Sequence, residues 1–271
     1  MDREVNPKGL ASSGGAPALE KGLDLLEALA AEPGGLTQRQ LAARVGRSVS
    51  EVFRMLGVLE RRGYIAREAK TGEYSLTLQL FRLATQHPPT RRLQHVALPI
   101  MEELAEATAL GCHLSMLSGS HLLIVAQADP NRPMGWVVKL GAVFPFNMHY
   151  ASARVLAAFQ SGRKREELVA ILVAQSALPP AQITARLDRI VAIGHDMAPS
   201  EVAEGLVDLS CPVLDERGQA VAALTLPFLP RFGTKAEAND ALPLLREAAR
   251  AISTCIGGMA EAQSESGFQA E

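Results

Sequence analysis

Residues 36–76 read LTQRQLAARVGRSVSEVFRMLGVLERRGYIAREAKTGEYSL, and they contain two helix starts in quick succession. Thr37 and Gln40 have capping-box spacing: the Thr37 hydroxyl accepts the N3 amide, and Gln40 returns the bond to the N-cap amide. Leu36 and Leu41 stand at the N′ and N4 positions of a hydrophobic staple. Gly46 ends this helix, since glycine takes the left-handed C′ conformation without steric cost. A second box, Ser48 with Glu51, opens another helix at once. Its apolar positions Val52, Met55, Leu56 and Leu59 share one face. Two short capped helices with glycine between them predict a helix-turn-helix. Tyr64-Ile65-Ala66 and Tyr74-Ser75-Leu76 flank a turn at Lys70-Thr71-Gly72, which predicts a β-hairpin, the wing.

Charge points the same way. The chain carries a net −2. Between Gln38 and Lys70, however, stand eight basic residues (Arg39, Arg44, Arg47, Arg54, Arg61, Arg62, Arg67, Lys70) against three acidic ones (Glu51, Glu60, Glu68). From His87 onward the balance reverses, with 15 Lys+Arg against 19 Asp+Glu. A basic patch confined to a groove-reading motif is the electrostatic footprint of double-stranded DNA binding.

With Val52, Met55, Leu56 and Leu59 turned to the core, Val49, Ser50, Phe53, Arg54 and Gly57 face outward. Ser50 and Arg54 lie one turn apart and reach the DNA together. Arg54 either takes a guanine edge bidentately or clamps a phosphate. Phe53 either packs on the first helix or meets a thymine methyl. Arg61 and Arg62 at the helix exit, and Arg67 and Lys70 on the wing, are placed for phosphates. Arg39 and Ser48 complete the expected DNA-contacting set.

A chain of 271 residues accommodates two modest domains. An aromatic content of 4% argues against a base-stacking single-strand binder. The opening MDREVNPKGLASSGGAPALE has no signal-peptide apolar core. No run of 18 apolar residues offers a membrane span. Cys112, Cys211 and Cys255, odd in number and widely spaced, point to a reducing cytoplasm.

The expected organisation is a disordered leader over 1–17, a winged helix-turn-helix domain over 18–86, a linker helix over 87–110, an effector domain over 111–260 and a disordered tail over 261–271. A first helix spans Leu19 to Ala31, with Leu19, Leu23, Leu26 and Leu29 or Ala30 on one face. Leu78, Leu80, Phe81 and Leu83 form a short helix leaving the wing, and His87-Pro88-Pro89 marks the boundary. The 90–110 helix carries a stripe of Leu93, Val96, Ala97, Ile100, Met101, Leu104 and Ala107 or Thr108. It serves either as a dimerisation strut or as packing for the next sheet. Beyond it, Cys112–Leu117 and His121–Ala128 make a hairpin, and Trp136–Leu140 makes a further strand. Tyr150–Phe159, Arg163–Gln175 and Ala181–Ile193 are helical. Leu206–Leu214 and Ala220–Leu226 form a second hairpin, and a helix from Thr234 to Met259 closes the chain. The class is α+β with an antiparallel sheet.

Nothing in the second half has the spacing of a catalytic or metal site. Cys211 lacks an adjacent base, the six histidines show no HxxxH pattern, and there is no GxGxxG or P-loop. No cofactor is expected. The segment PMGWVVKLGAVFPFNMHYASARVLAAF is apolar and aromatic with Asn147, His149 and Ser152 as its polar groups, a composition that suits either a small-molecule pocket or a core edge. Two other classes stay open. An enzyme with an appended DNA-binding module would need Asp208, His149 and Cys211 to converge. A metal-sensing repressor would need three or four converging ligands.

These residues together resemble the isocitrate lyase regulator (IclR) family of bacterial transcription factors. The resemblance runs from Ala18 to Gly258. It rests on ALEKGLDLLEAL, LTQRQLAARVG, SVSEVFRMLGVLERRGYI and GEYSLTLQLFRLA in the first half. In the second half it rests on LGAVFPFNMHYASARVLAAF and EVAEGLVDLSCPVLDERGQAVAALTL. It implies a winged helix, a linker helix and a GAF-like effector domain, assembled as a homodimer or homotetramer on palindromic operators, with small organic acids of catabolism as typical effectors. Ser50 and Arg54 match the family's usual Ser and Arg. Val49, Glu51 and Phe53 replace its frequent Lys, Thr and His. Ala151 and Ser152 fall on the small-residue turn lining the family's cavity, and Asp208 and Thr225 on cavity positions that are often small or Cys, and Ser. Arg154 stands where Lys is usual, and His149 comes from a loop one residue longer. With Trp136 and Asn147, these residues make the expected effector set: Trp136, Asn147, His149, Ala151, Ser152, Asp208 and Thr225. Alternation from 206 to 214 puts Asp208 and Ser210 on one face and Cys211 on the other. On an edge strand Asp208 would instead be solvated. Buried, it disfavours a carboxylate ligand unless Arg154, His149 or a cation offsets it.

Overall fold

The computed structural model describes residues 16–85, 88–130, 132, 135–229 and 238–258. Residues 1–15 of the expected leader and the whole expected tail lie outside them. Contacts divide the chain into two units, Met1–His87 and Pro88–Glu271.

In the first unit, α1 (Pro17–Ala30) leads through the short β1 (Leu36–Thr37) to α2 (Gln38–Arg44) and α3 (Val49–Arg61). Both capping boxes are present. The Thr37 amide donates to Gln40 Oε1 at 2.8 Å, and the Ser48 amide to Glu51 Oε2 at 3.2 Å. Gly46 takes φ +64°, the left-handed conformation that turns the chain between α2 and α3. The wing is β2 (Ile65–Arg67) and β3 (Glu73–Leu76), with β3 central between β1 and β2. A further helix, α4, covers Gln79–Thr85. The core gathers Leu25, Leu29, Leu36, Leu41, Val52, Leu56, Ile65 and Tyr74. α1 follows the expected stripe in its second half only: Leu29 is buried and Leu26 packs against the core, but Leu25 and Ala28 complete the buried face, whereas Leu19 is 64% and Leu23 49% exposed.

The second unit begins with α5 (Pro88–Thr108), so Pro88 and Pro89 start this helix. Six antiparallel strands follow: β4 (Cys112–Ser118), β5 (His121–Ala128), β6 (Val143–Pro145), β7 (Asp196–Pro199), β8 (Val207–Leu214) and β9 (Ala220–Phe228). Their order is β6-β5-β4-β9-β8-β7. α5 packs with α9 (Ala238–Cys255) over one face, around Leu93, Met101, Leu114, Cys211, Leu224, Leu245 and Ile252. The other face carries α6 (Ala151–Ala158), backed by α7 (Gly162–Ala174) and α8 (Pro180–Ile193). Thus α5 is built into the effector unit by its own apolar stripe; Ala107 is exposed.

Two elements correct the expected layout. Trp136–Leu140 is irregular backbone, and the strand beside β5 is β6. At the opposite edge β7 pairs with β8, so β8 is internal and Asp208 is not on an edge strand. The expected start of the last helix at Thr234 lies outside the described residues. Cys112, Cys211 and Cys255 form no disulfide.

Candidate functional site

The capped second helix presents its N-terminal two turns to solvent. Val49 and Phe53 are 47% and 60% exposed, and Ser50 and Arg54 are exposed beside them. Glu51 points elsewhere: its carboxylate takes Lys21 Nζ at 2.7 Å and the Ser48 hydroxyl at 2.6 Å. These partners, Lys21 first, hold its pKa down to about 2. Glu51 therefore ties α3 to α1, and Ser48 spends its hydroxyl on the cap. Arg47 and Arg44 pair with Asp24 at 3.9 Å and Glu32 at 3.3 Å. Among the described residues no ion pair engages Arg39, Arg54, Arg61, Arg62, Arg67 or Lys70, all exposed. Arg67 on the wing lies 5.7 Å from the Tyr74 ring centroid, a cation–π contact. The basic patch thus keeps six exposed cations outside any ion pair among the described residues, on α2, on α3 and its exit, and on the wing.

In the second unit, the α6 side of the sheet holds a cavity of about 330 Å³. His113, Ser115, Thr225 and Asp208 bring three neighbouring strands to its floor, and Ser210 lies behind Thr225. His113 on β4 stands opposite Thr225 on β9, which stands opposite Ser210 on β8. Ser152, at the start of α6, closes a hydroxyl chain with Ser115 (3.3 Å) and Thr225 (2.9 Å), and Thr225 continues to Ser210 (2.8 Å). Leu122, Ile124, Phe144 and Tyr150 make apolar walls. Two irregular segments complete the lining: Trp136 to Ala142, and Ser200 to Ala203 after β7. Gly111 lets the first of them close in, because a Cβ there would sit 2.8 Å from the Trp136 carbonyl oxygen.

His113 is 8% exposed, and among the described residues its Nδ1 has no hydrogen-bond partner. Burial lowers its pKa from 6.5 to about 4, so the ring is neutral at pH 7. Asp208 is half-buried in the lining. Burial raises its pKa, opposed by the Ser200 hydroxyl and by the charge of Arg154. Arg154 itself is 1% exposed. Its Nε donates to Asp196 at 2.5 Å, and Nη1 donates to the Met148 carbonyl.

Of the expected effector set, Trp136, Ala151, Ser152, Asp208 and Thr225 line the cavity. Asn147 and His149 do not. The Asn147 side chain accepts the His149 amide at 3.0 Å, and the exposed His149 ring meets Glu201. The Ser200 hydroxyl, rather than His149 or Ser152, is the neighbour that favours the Asp208 charge. Sequence reasoning missed His113 and Ser115. Their signal was present as polar residues at alternating positions of a strand whose other positions, Cys112 and Leu114, are apolar. Asp208, His149 and Cys211 do not converge, since Cys211 faces the α5–α9 core. Among the described residues no three His, Cys, Asp or Glu side chains are placed to hold a metal ion.

His113 makes stability pH-dependent. Its folded pKa lies below its unfolded one, so on acidification the unfolded chain takes the proton first. Its contribution is complete above about pH 6.5 and is lost as pH falls towards 4, amounting to about 3 kcal/mol. Asp208, with a raised pKa, acts in the opposite sense. His113→Asn should therefore flatten the fall in urea-unfolding free energy between pH 6.5 and 4, relative to the parent chain. Parallel curves for the two proteins would show that His113 is not buried neutral.

Residues 89–254 match the family model for the C-terminal region of bacterial IclR transcriptional regulators, and residues 18–69 match the IclR helix-turn-helix model. The chain belongs to the IclR family. It is a transcriptional regulator with a DNA-binding helix-turn-helix unit and an effector-binding C-terminal unit. Among relatives, HTH-type transcriptional regulator Rv1719 of Mycobacterium tuberculosis is 30% identical over 236 residues, covering 85% of this chain and 90% of that protein. KdgR of Escherichia coli K12 is 29% identical, covering 82% and 86%. The crystal structure of Pseudomonas aeruginosa HmgR superposes with a TM-score of 0.71 at 27% identity, covering 89% and 99%. An IclR homologue from Microbacterium hydrocarbonoxydans, complexed with 4-hydroxybenzoate, shares the fold with a TM-score of 0.72 at 21% identity, covering 88% and 98%.

Proposed function

We propose that the regulator's effector is a ring-sized, largely apolar catabolic intermediate that presents an O–H or N–H group to the floor of the β4–β9–β8 cavity. The observation that carries this reading is the pairing of apolar walls with a half-buried carboxylate in the lining, Asp208, beside a neutral His113. A carboxylate that burial has stripped of water gains from a ligand that brings a donor. A carboxylate beside Asp208 would meet like charge, so phenols, amines and neutral molecules fit the floor better than simple organic acids. The test is a thermal-shift series on the full chain with matched benzoates, phenols, anilines and the 4-hydroxybenzoate held by the Microbacterium homologue. Phenols or anilines should raise the Tm; a rise with benzoates alone would overturn the assignment.

On DNA, Ser50 and Arg54 of α3 enter the major groove, and Arg39, Arg61, Arg67 and Lys70 hold phosphates. The protein acts in the cytoplasm as a homodimer or homotetramer without catalytic activity. Two winged helices bind half-sites about 34–36 Å apart or a multiple of that, and effector binding changes their spacing through α5. Arg54→Ala should cost about 1–3 kcal/mol of specific operator binding while leaving folding and effector binding intact. A mobility-shift titration with unchanged affinity would mean that α3 presents another face.

A further inference from the structure

Val49 and Phe53 are large apolar side chains left exposed at the start of α3. Phe53 is absent from the first unit's apolar core, and its ring is 60% exposed, so packing on α1 does not explain it. Val49, one turn earlier, is 47% exposed. The two are the first and fifth residues of α3 and flank Ser50 and Arg54 on its outer side. The N-terminal turns of a recognition helix are the part that meets base edges. A phenyl ring or a valine offers a base edge no hydrogen bond, and pressing either onto an amino or carbonyl group would leave that group dry and unpaired. The major-groove edges display one apolar group, the C5 methyl of thymine. Glu51, which would otherwise present a carboxylate to cytosine from the same turn, is held by Lys21 and Ser48.

We infer that Phe53, supported by Val49, selects thymine in each operator half-site through its C5 methyl group, beside the base or phosphate that Arg54 contacts. The experiment begins with selection of binding sites from a random duplex pool by the full-length protein. Each thymine of the selected site is then replaced singly by deoxyuridine, which keeps the pairing and removes only the methyl. Affinity should fall about fourfold at one or two thymines per half-site, the equivalent of one buried methyl. Phe53→Ala should bind the thymine and deoxyuridine duplexes equally, whereas Phe53→Leu, still apolar, should retain part of the preference. Tolerance of deoxyuridine at every thymine by the parent protein overturns the inference. So does a Phe53→Ala protein that keeps the parent's preference. A pool with no enriched sequence would count against base reading by α3 altogether.

Discussion

Asp196→Ala is expected to destabilise the effector unit by about 3–5 kcal/mol, because it breaks a buried ion pair by removing one partner. Asp196 is 5% exposed and Arg154 1%. Removing the carboxylate strands a guanidinium that cannot shed its proton, in a site too dry to solvate it. Arg186 adds to the penalty. Its own pKa is lowered by burial first and then by the charge of Arg154, so a second cation already faces the first. The Met148 carbonyl remains as a partner for Arg154, but a neutral acceptor does not cancel a charge. Urea unfolding followed by circular dichroism measures the loss. The double change Arg154→Met with Asp196→Leu should recover most of it, because well-packed apolar residues substitute for a buried ion pair at little cost. A single-mutant loss under about 1 kcal/mol would show that the site is hydrated and the pair dispensable.

The consequence reaches beyond stability. Arg154 sits on α6, whose first residues Ala151 and Ser152 line the cavity; Asp196 begins β7, which leads directly into the lining residues Ser200, Val202 and Ala203. One buried ion pair therefore fixes two walls of the cavity against each other.

How much of this was legible in the sequence follows the range of the interactions involved. Capping boxes are local chemistry, written within four residues, and Thr37–Gln40 and Ser48–Glu51 form as read. The two long hairpins were legible for the same reason. β6 and β7 were not. Each is three or four residues long, ends in proline and becomes a strand only because β5 or β8 offers it an edge. Trp136–Leu140 has an apolar strand-like composition, but β6 takes the place beside β5. In α1 leucines occupy two faces, and periodicity alone reached Leu29 but could not choose Leu25 over Leu19 and Leu23. The cavity floor depends on register across three strands, which brings His113, Thr225 and Asp208 to one cavity. Asp208 and Thr225 were reached through family resemblance; His113 needed the sheet.

Asp208→Ala should abolish the effector response while leaving operator binding by the free protein intact. Asp208 stands on an internal strand, paired with Ala198 on β7 and Pro227 on β9, and its side chain lines the cavity. Its raised pKa, caused by burial, describes a carboxylate held where water is scarce and supported by the Ser200 hydroxyl and the more distant charge of Arg154. Such a group gains most from a ligand that brings a donor, since the donor replaces the water it lost. Alanine removes the acceptor and the desolvation cost together, so the folded unit should keep its Tm without effector. It should lose the ligand-induced rise. The decisive measurement is a mobility-shift titration of the operator at increasing effector, run on the parent, Asp208→Ala and Asp208→Asn proteins. The amide keeps an acceptor oxygen and the shape but not the charge. A phenol should therefore retain weakened activity on Asp208→Asn, and an amine, which depends on the charge, should lose it. An unchanged effector concentration for half-response in Asp208→Ala would leave recognition to His113 and the Trp136–Ser152 side of the cavity.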